Sequence, residues 1–299
     1  MNESHASVTG SDVARFLQSP LRGPSFPLRR PADLADCGKG DLVWVRSFTP
    51  ERLELLQQRQ PALAICDGET AERTTVATVI QANPRLAFIR VLNEFYRPSR
   101  PVGVHPTAIV AEGAVIGANA FIGPFARVGP SVVIGRDCTI SSGVVIESRV
   151  TLGDRCVIKA NSVVGGQGFG FEYDEHGQPL HFPHLGQIVL EDDVWLGACT
   201  TIELATLGTT RLGRGCKVDD LVQIGHNVGV GPNTLIMANS VLCGGVTVGE
   251  RCWIAPNSVV KQKVRIGNRV TVGLGAVVLK DVADDLVVAG VPAKPLVKA

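Results

Sequence analysis

Aromatic side chains are scarce in this chain of 299 residues, 5% of the total, so a core built on large rings is not expected. No run of about 18 apolar residues occurs anywhere, and the hydropathy pattern holds no membrane-spanning helix. The opening MNESHASVTG has neither a basic nor an apolar export region, which predicts a protein of the cytoplasm. Net charge is nearly absent: 29 Lys and Arg against 28 Asp and Glu leave +1, no global field for nucleic acid. The eight cysteines (Cys37, Cys66, Cys138, Cys156, Cys199, Cys216, Cys243, Cys252) include no CxxC pair. Neither zinc nor a disulfide framework is favoured, and buried reduced thiols are expected. With 45% hydrophobic residues, the chain still has ample material for a core.

What is plentiful is glycine, 33 residues, and aliphatic residues at one fixed spacing. From Val104, steps of six give Val110, Ile116, Ile122, Val128, Ile134, Ile140, Ile146, Leu152, Ile158 and Val164. The phase resumes at Leu190, Leu196 and Ile202, slips by four, and runs from Leu212 to Val278, 26 hexads in all. A period of six suits neither an amphipathic helix nor an alternating strand; it suits a solenoid of short strands joined by corners. The glycine that often follows the aliphatic residue, as at Gly117, Gly135 and Gly225, is expected to supply freedom at the corner. Two interruptions stand out: Gly165 to Gln187, expected to leave the coil as an arm, and a slip of four residues within Glu203 to Arg211.

The repeat resembles the hexapeptide-repeat acyltransferase superfamily. That likeness implies triangular, left-handed coils of three hexads; the general crossover rule alone would predict the opposite hand. Residues 18 apart then stack one coil above another, about 4.8 Å away. Cys138, Cys156, Cys216 and Cys252 all fall four places after an aliphatic residue, where a small inward side chain is wanted.

Before residue 101 the pattern differs. Ser11 ahead of DVARFLQ reads as a helix cap, and Thr49-Pro50-Glu51 places a cap, a first-turn proline and an acid in order. Leu42 to Val45 and Ala62 to Cys66 read as strands, while Asn83-Pro84 opens a helix running to Tyr96. Residues 1–100 are thus a small α/β domain, and Arg97 to Pro101 is the linker into a β-helix over 101–299.

A solenoid buries its aliphatic residues, so chemistry must come from outward side chains, loops or a second copy. Of six histidines, His226 alone lies in the regular tract after the arm, at a turn following Ile224-Gly225. Asp219 and Asp220 precede it by seven and six residues, and Gly244, 18 residues on, should stack over it with an uncovered N–H. Base, carboxylate and free N–H are the parts that acyl transfer to an amine requires. A surface histidine equally serves as a solvated or packing residue, and a non-catalytic scaffold fits the same pattern.

The tract VVGGQGFGFEYDEHGQPLHFPHLGQIVLEDDVWLGACTTIE, with GRGCKVDDLVQIGHNVGVG after it, resembles the UDP-3-O-acylglucosamine N-acyltransferase family of lipid A biosynthesis. The likeness extends to Gly40-Asp41-Leu42 and to Gly103 to Ala108. It implies His226 as general base, Asp219 as the residue orienting it, Asn227 as the amide beside it, and Gly244 as oxyanion donor. A second family histidine falls on Lys263, whose ammonium could still hold phosphate. The family's aromatic uridine motif, akin to SFLSNPKY, is replaced by Val43 to Pro50, leaving Trp44 and Phe48 as stacking candidates beside a core role for Trp44. The motif TTIDRGA becomes Thr200-Thr201-Ile202-Glu203-Leu204-Ala205-Thr206, without its aspartate and arginine. The ending Ala289-Gly290-Val291-Pro292-Ala293-Lys294-Pro295 resembles coenzyme A sugar acetyltransferases, so the donor is either an acyl carrier protein or acyl-CoA. The resemblance implies a homotrimer with sites between subunits and an acyl thioester as substrate; a thioester is already activated, so no metal and no permanent cofactor is expected. The alternatives are an acetyl-CoA-dependent sugar N-acetyltransferase and the scaffold.

Overall fold

A computed structural model describes residues 8–296, which divide between Arg100 and Pro101 into two compact units. The first carries α1 (Gly10–Phe16), β1 (Leu21–Arg22), β2 (Arg30–Pro31), β3 (Asp41–Trp44), α2 (Pro50–Arg59), β4 (Leu63–Cys66), α3 (Gly68–Arg73), β5 (Thr78–Ile80) and α4 (Pro84–Val91). Its sheet runs β1-β5-β4-β3-β2, parallel except for the β1 edge. The cap of α1 is Thr9 rather than Ser11, because Thr9 and Asp12 form a reciprocal capping box that satisfies two free donors at once. Thr49 caps α2 with Pro50 in its first turn, as its sequence suggests. The helix opened by Asn83 turns π-helical over Leu92–Tyr96. Asp41 is wholly buried, held by Arg29 Nε and Nη2 at 2.9 and 3.1 Å and by the Gly38 N–H, and this pairing keeps its carboxyl below the usual range.

The second unit is a parallel β-helix with three faces. One face stacks nine strands from Ile109–Val110 to Val277–Val278, the next eight from Val115–Ile116 to Arg265–Ile266, and the third eleven from Gly103–Val104 to Lys294–Pro295. In the uninterrupted coils strand partners lie 18 residues apart, as Val128 with Ile146 and Ile134 with Leu152. All are parallel except the terminal pair Val287–Ala289 with Lys294–Pro295 and the hairpin of the arm. The aliphatic residue of each hexad points inward, and Ile122, Ile140, Ile158, Leu196, Ile224 and Ile254 have no exposed surface. Replacing Ile140 by alanine should cost about 2–5 kcal/mol of stability, read as a lower denaturation midpoint.

Two expectations need correction. The glycines after the aliphatic residue are not there for backbone freedom: a Cβ on Gly117, Gly135 or Gly197 would lie 2.5, 2.4 and 2.2 Å from the backbone of the next coil. They permit close stacking of coils. The left-handed conformation falls two residues later, where asparagine recurs, as at Asn119, Asn161, Asn233 and Asn239, with φ between 56° and 61°. The cysteines are not uniformly buried either: Cys138, Cys156, Cys216 and Cys252 are, but Cys199 is exposed and Cys243 half-buried. Cys199 sits at a corner rather than inside, with φ 54°. Among the described residues no helix is long and apolar enough to cross a membrane.

Candidate functional site

Both interruptions of the repeat leave the coil at one corner, between the first face and the second. The arm emerges after Val163–Gly166 and returns at Gln187–Leu190; the insertion of four residues lies between Thr201–Glu203 and Thr209–Leu212. His226 follows Gln223–Ile224 there, Gly244 follows Val241–Leu242, and Lys263 follows Val259–Val260. Successive coils therefore stack arm, insertion, His226, Gly244 and Lys263 along a single edge.

The insertion determines how His226 is presented. Thr206 donates to Asn227 Oδ1 from its N–H at 3.0 Å and its hydroxyl at 2.8 Å, and Asn227 Nδ2 donates to the Leu207 carbonyl at 2.7 Å. Those bonds leave no doubt which end of the amide is oxygen. His226 Nδ1, 3.0 Å from the same Oδ1, must then be the protonated nitrogen. In the neutral ring the lone pair then lies on Nε2, the form a general base needs. Asn227 itself sits at φ 60°, which asparagine adopts readily, with its N–H on Thr210 Oγ1 at 2.8 Å.

Gly244 stacks on His226 as the repeat requires. A Cβ there would lie 2.5 Å from His226 Nε2 and 2.7 Å from Cε1, so only glycine leaves the ring its place. At the equivalent position one coil below, the His226 N–H is occupied by Glu203 Oε2 at 3.1 Å. The Gly244 N–H has no acceptor among the described residues. A lone pair on Nε2 and an unused N–H thus adjoin each other on a half-buried corner. Glu203 is the carboxylate that meets His226, and it also accepts from Gln223 Nε2 at 3.2 Å.

Asp219 is not brought to His226 within one chain. It follows Lys217–Val218, at the corner between the third and first faces, and its carboxylate accepts the Asp220 N–H at 2.9 Å. Asp220 pairs with Lys159 at 2.6 Å and with the Ala198 N–H, which hold its carboxyl below the usual range. The orienting contact expected of Asp219 is made by Asn227. Lys263 lies one coil beyond Gly244, donating its N–H to the Gly244 carbonyl at 3.0 Å, and its side chain is exposed.

Trp44 and Phe48 belong to the first unit. Trp44 ends β3, half-buried, its ring 6.4 Å from that of Phe88, and it also walls a cavity of about 320 Å³ with Asp33, Arg46 and Arg52. Phe48 carries the Arg73 guanidinium 4.7 Å above its ring. The core role and the cavity role of Trp44 coexist.

Two residues at the corner went unrecognised in the sequence. Glu203 reads there only as a lost aspartate, and His184 as one of three arm histidines. The signal that could have found them is the phase of the interruptions: both follow the same strand of the three-strand cycle that precedes His226, so both reach its corner.

Repeat, register and corner together define a hexapeptide-repeat protein. The bacterial transferase hexapeptide (six repeats) family matches residues 113–148, 131–166, 227–262 and 245–280. A UDP-3-O-acylglucosamine N-acyltransferase of Coxiella burnetii is 36% identical over 221 residues, covering 67% of this chain and 64% of that protein. One of Anaeromyxobacter dehalogenans is 46% identical over 102 residues, covering 32% of this chain and 29% of that protein. The matches span less than two thirds of either relative's length. Among solved structures, the UDP-N-acetylglucosamine acyltransferase of Francisella novicida aligns with TM-score 0.60 at 28% identity, covering 65% of this chain and 70% of that one. LpxA from Acinetobacter baumannii shares the fold at TM-score 0.60 and 23% identity, covering 64% and 73%. The coil is the left-handed β-helix of these proteins. The chain is thus similar to UDP-3-O-acylglucosamine N-acyltransferases over part of their length and carries the transferase hexapeptide repeat.

Proposed function

We propose that this protein transfers an acyl group from a thioester to the amino group of a nucleotide-linked amino sugar, as in the N-acylation of UDP-3-O-acylglucosamine on the route to lipid A. The observation that carries the proposal is the juxtaposition of His226 Nε2, freed as a base by the Asn227 contact at 3.0 Å, with the unused Gly244 N–H. The sugar amine attacks the thioester carbonyl carbon while Nε2 takes its proton, forming the C–N bond. The resulting oxyanion is stabilised by the Gly244 N–H. Collapse breaks the C–S bond, and His226 returns the proton to the departing thiolate. The products are an amide and a free thiol, and the neutral base is restored.

In this proposal Lys263 supplies a positive charge for a phosphate of donor or sugar nucleotide, and Trp44 with Phe48 offers rings for the nucleobase. The working form is a cytoplasmic homotrimer, in which Asp219 is reserved for a contact between copies and the arm helps close each site. The donor is acyl carrier protein or acyl-CoA. A specific feature favours testing the latter: the terminal strand pair bounds a cavity of about 340 Å³ flanked by Lys280 and Lys294. A screen should show turnover with 3-hydroxyacyl carrier protein and UDP-3-O-acylglucosamine, followed by amide formation in mass spectrometry. Turnover with acetyl-CoA and none with the acyl carrier protein would replace this assignment by a sugar N-acetyltransferase. No turnover with any thioester would favour a scaffold.

A further inference from the structure

The arm delivers a second imidazole to the base. Its hairpin, Phe171–Tyr173 with Pro179–His181, returns through His184, whose backbone is clasped from both sides. Gln167 accepts the His184 N–H at 2.9 Å and donates to its carbonyl at 3.3 Å, while Arg149 reaches the carbonyls of His184 and Leu185 at 3.4 and 2.9 Å. The side chain has no exposed surface. Its ring stands edge to face with His226, centroids 5.1 Å apart at 71°, and stacks on His181 at 5.8 Å and 28°. The arm is shaped around that ring: a Cβ on Gly168 would lie 2.5 Å from His184 Nε2, and one on Gly170 3.3 Å from Cε1.

Both ring nitrogens are buried, and among the described residues neither makes a well-formed hydrogen bond, although the Phe182 carbonyl bears on the ring. A phenyl ring would fill this space without burying two unsatisfied nitrogens, so what an imidazole adds to the packing is a site that can take up a proton. The titratable and charged groups facing it are His181 from the arm, Glu203 from the insertion, His226 from the next coil, and Arg149 at its carbonyl. Burial first and the neighbouring His226 second push the His184 imidazole below its ordinary value near 6.5, with the Phe182 carbonyl and Glu203 pulling weakly the other way. His184 is therefore uncharged at neutral pH.

We propose that His184 is a positioning residue for the acyl transfer: wedged edge to face against His226, it fixes that ring with Nε2 over the Gly244 corner, and it can do so only while it carries no proton. The role rests on His226 being the base. Protonating His184 would set two imidazoles that each attract a proton 5.1 Å apart beneath a buried arm, and the arm would have to open to hydrate the charge. Below about pH 6.5 the unfolded chain binds that proton more readily than the folded one, so the stability lent by a neutral His184 is lost as pH falls from there through its lowered folded value.

The full-length chain labelled with ¹⁵N-histidine tests this. The wild type should show His226 as a single Nδ1–H tautomer, and H184A a tautomer-averaged signal. In the same H184A variant kcat should fall about tenfold, with KM for the amino sugar changed less than about twofold. H184F, which refills the volume, should recover most of the loss, and should lose activity on the acid side with one proton where the wild type loses it with two. Unchanged His226 nitrogen signals and unchanged kcat in H184A would overturn the proposal, whether or not H184F folds. If the wild type turns over no thioester, the assigned reaction falls while the nitrogen signals still decide whether His184 positions His226.

Discussion

His226→Ala is expected to lower kcat by about 10²-fold or more, with Tm close to that of the wild type. The size follows from what the imidazole does in the proposed step. At neutral pH an amino sugar retains enough free amine to bind, but its attack on a thioester yields a positively charged nitrogen that must lose a proton before the C–S bond breaks productively. A base at hydrogen-bond distance removes it within the complex; bulk water does so less effectively. The stability expectation follows from position. His226 stands at a half-buried corner, outside the column of inward aliphatic residues, and its main-chain N–H contact to Glu203 at 3.1 Å survives truncation of the side chain. Steady-state turnover beside a thermal melt separates the two quantities. A variant as active as the wild type would remove His226 from the mechanism, and one that is inactive and unfolded would say nothing for catalysis.

The coil was legible because a solenoid writes its geometry into one short period. Each hexad contributes one inward aliphatic residue, and Val128 pairing with Ile146 repeats what the spacing already requires. His226 and Gly244 were legible for the same reason, since stacking 18 residues apart is a property of the period. Asp219 is not brought to His226 within one chain because proximity in sequence is a poor guide on a triangular prism: seven residues is more than one hexad, enough to turn a corner, and the two side chains leave different edges. Glu203 and His184 were hidden for the complementary reason. They lie 23 and 42 positions before His226 in the sequence, but interruptions at a common phase deliver them to its edge. The helices of the first unit were read from caps and prolines, which act locally. Its short α3 and the edge strand β1 were missed because six and two residues carry too little pattern of their own and are fixed by packing on β5.

Gly244→Ala should be nearly as damaging as removing the base, about 10²-fold in kcat or more, and it should be so for a reason visible in a neighbouring control. Alanine keeps the N–H assigned to the oxyanion, and Gly244 is not in the left-handed region, so its backbone tolerates a side chain. What it lacks is space: the new methyl would fall 2.5 Å from His226 Nε2, closer than real contacts allow. The imidazole must swing away from the corner, or the methyl must occupy the volume where the reacting carbonyl would sit between Nε2 and the N–H. Either outcome separates base from oxyanion donor while the aliphatic column beneath stays intact. Gly245 offers the opposite case. Its φ of 72° penalises any side chain, yet a Cβ there meets Lys263 at ordinary distances, Cγ at 3.4 Å and the backbone at 3.9 Å. Gly245→Ala should therefore cost about 1–2 kcal/mol of stability with a much smaller effect on turnover. Melting curves and initial rates for the two variants should fall in opposite order. If Gly244→Ala melts early and stays active while Gly245→Ala is stable and inactive, the space over His226 is not where the reaction takes place.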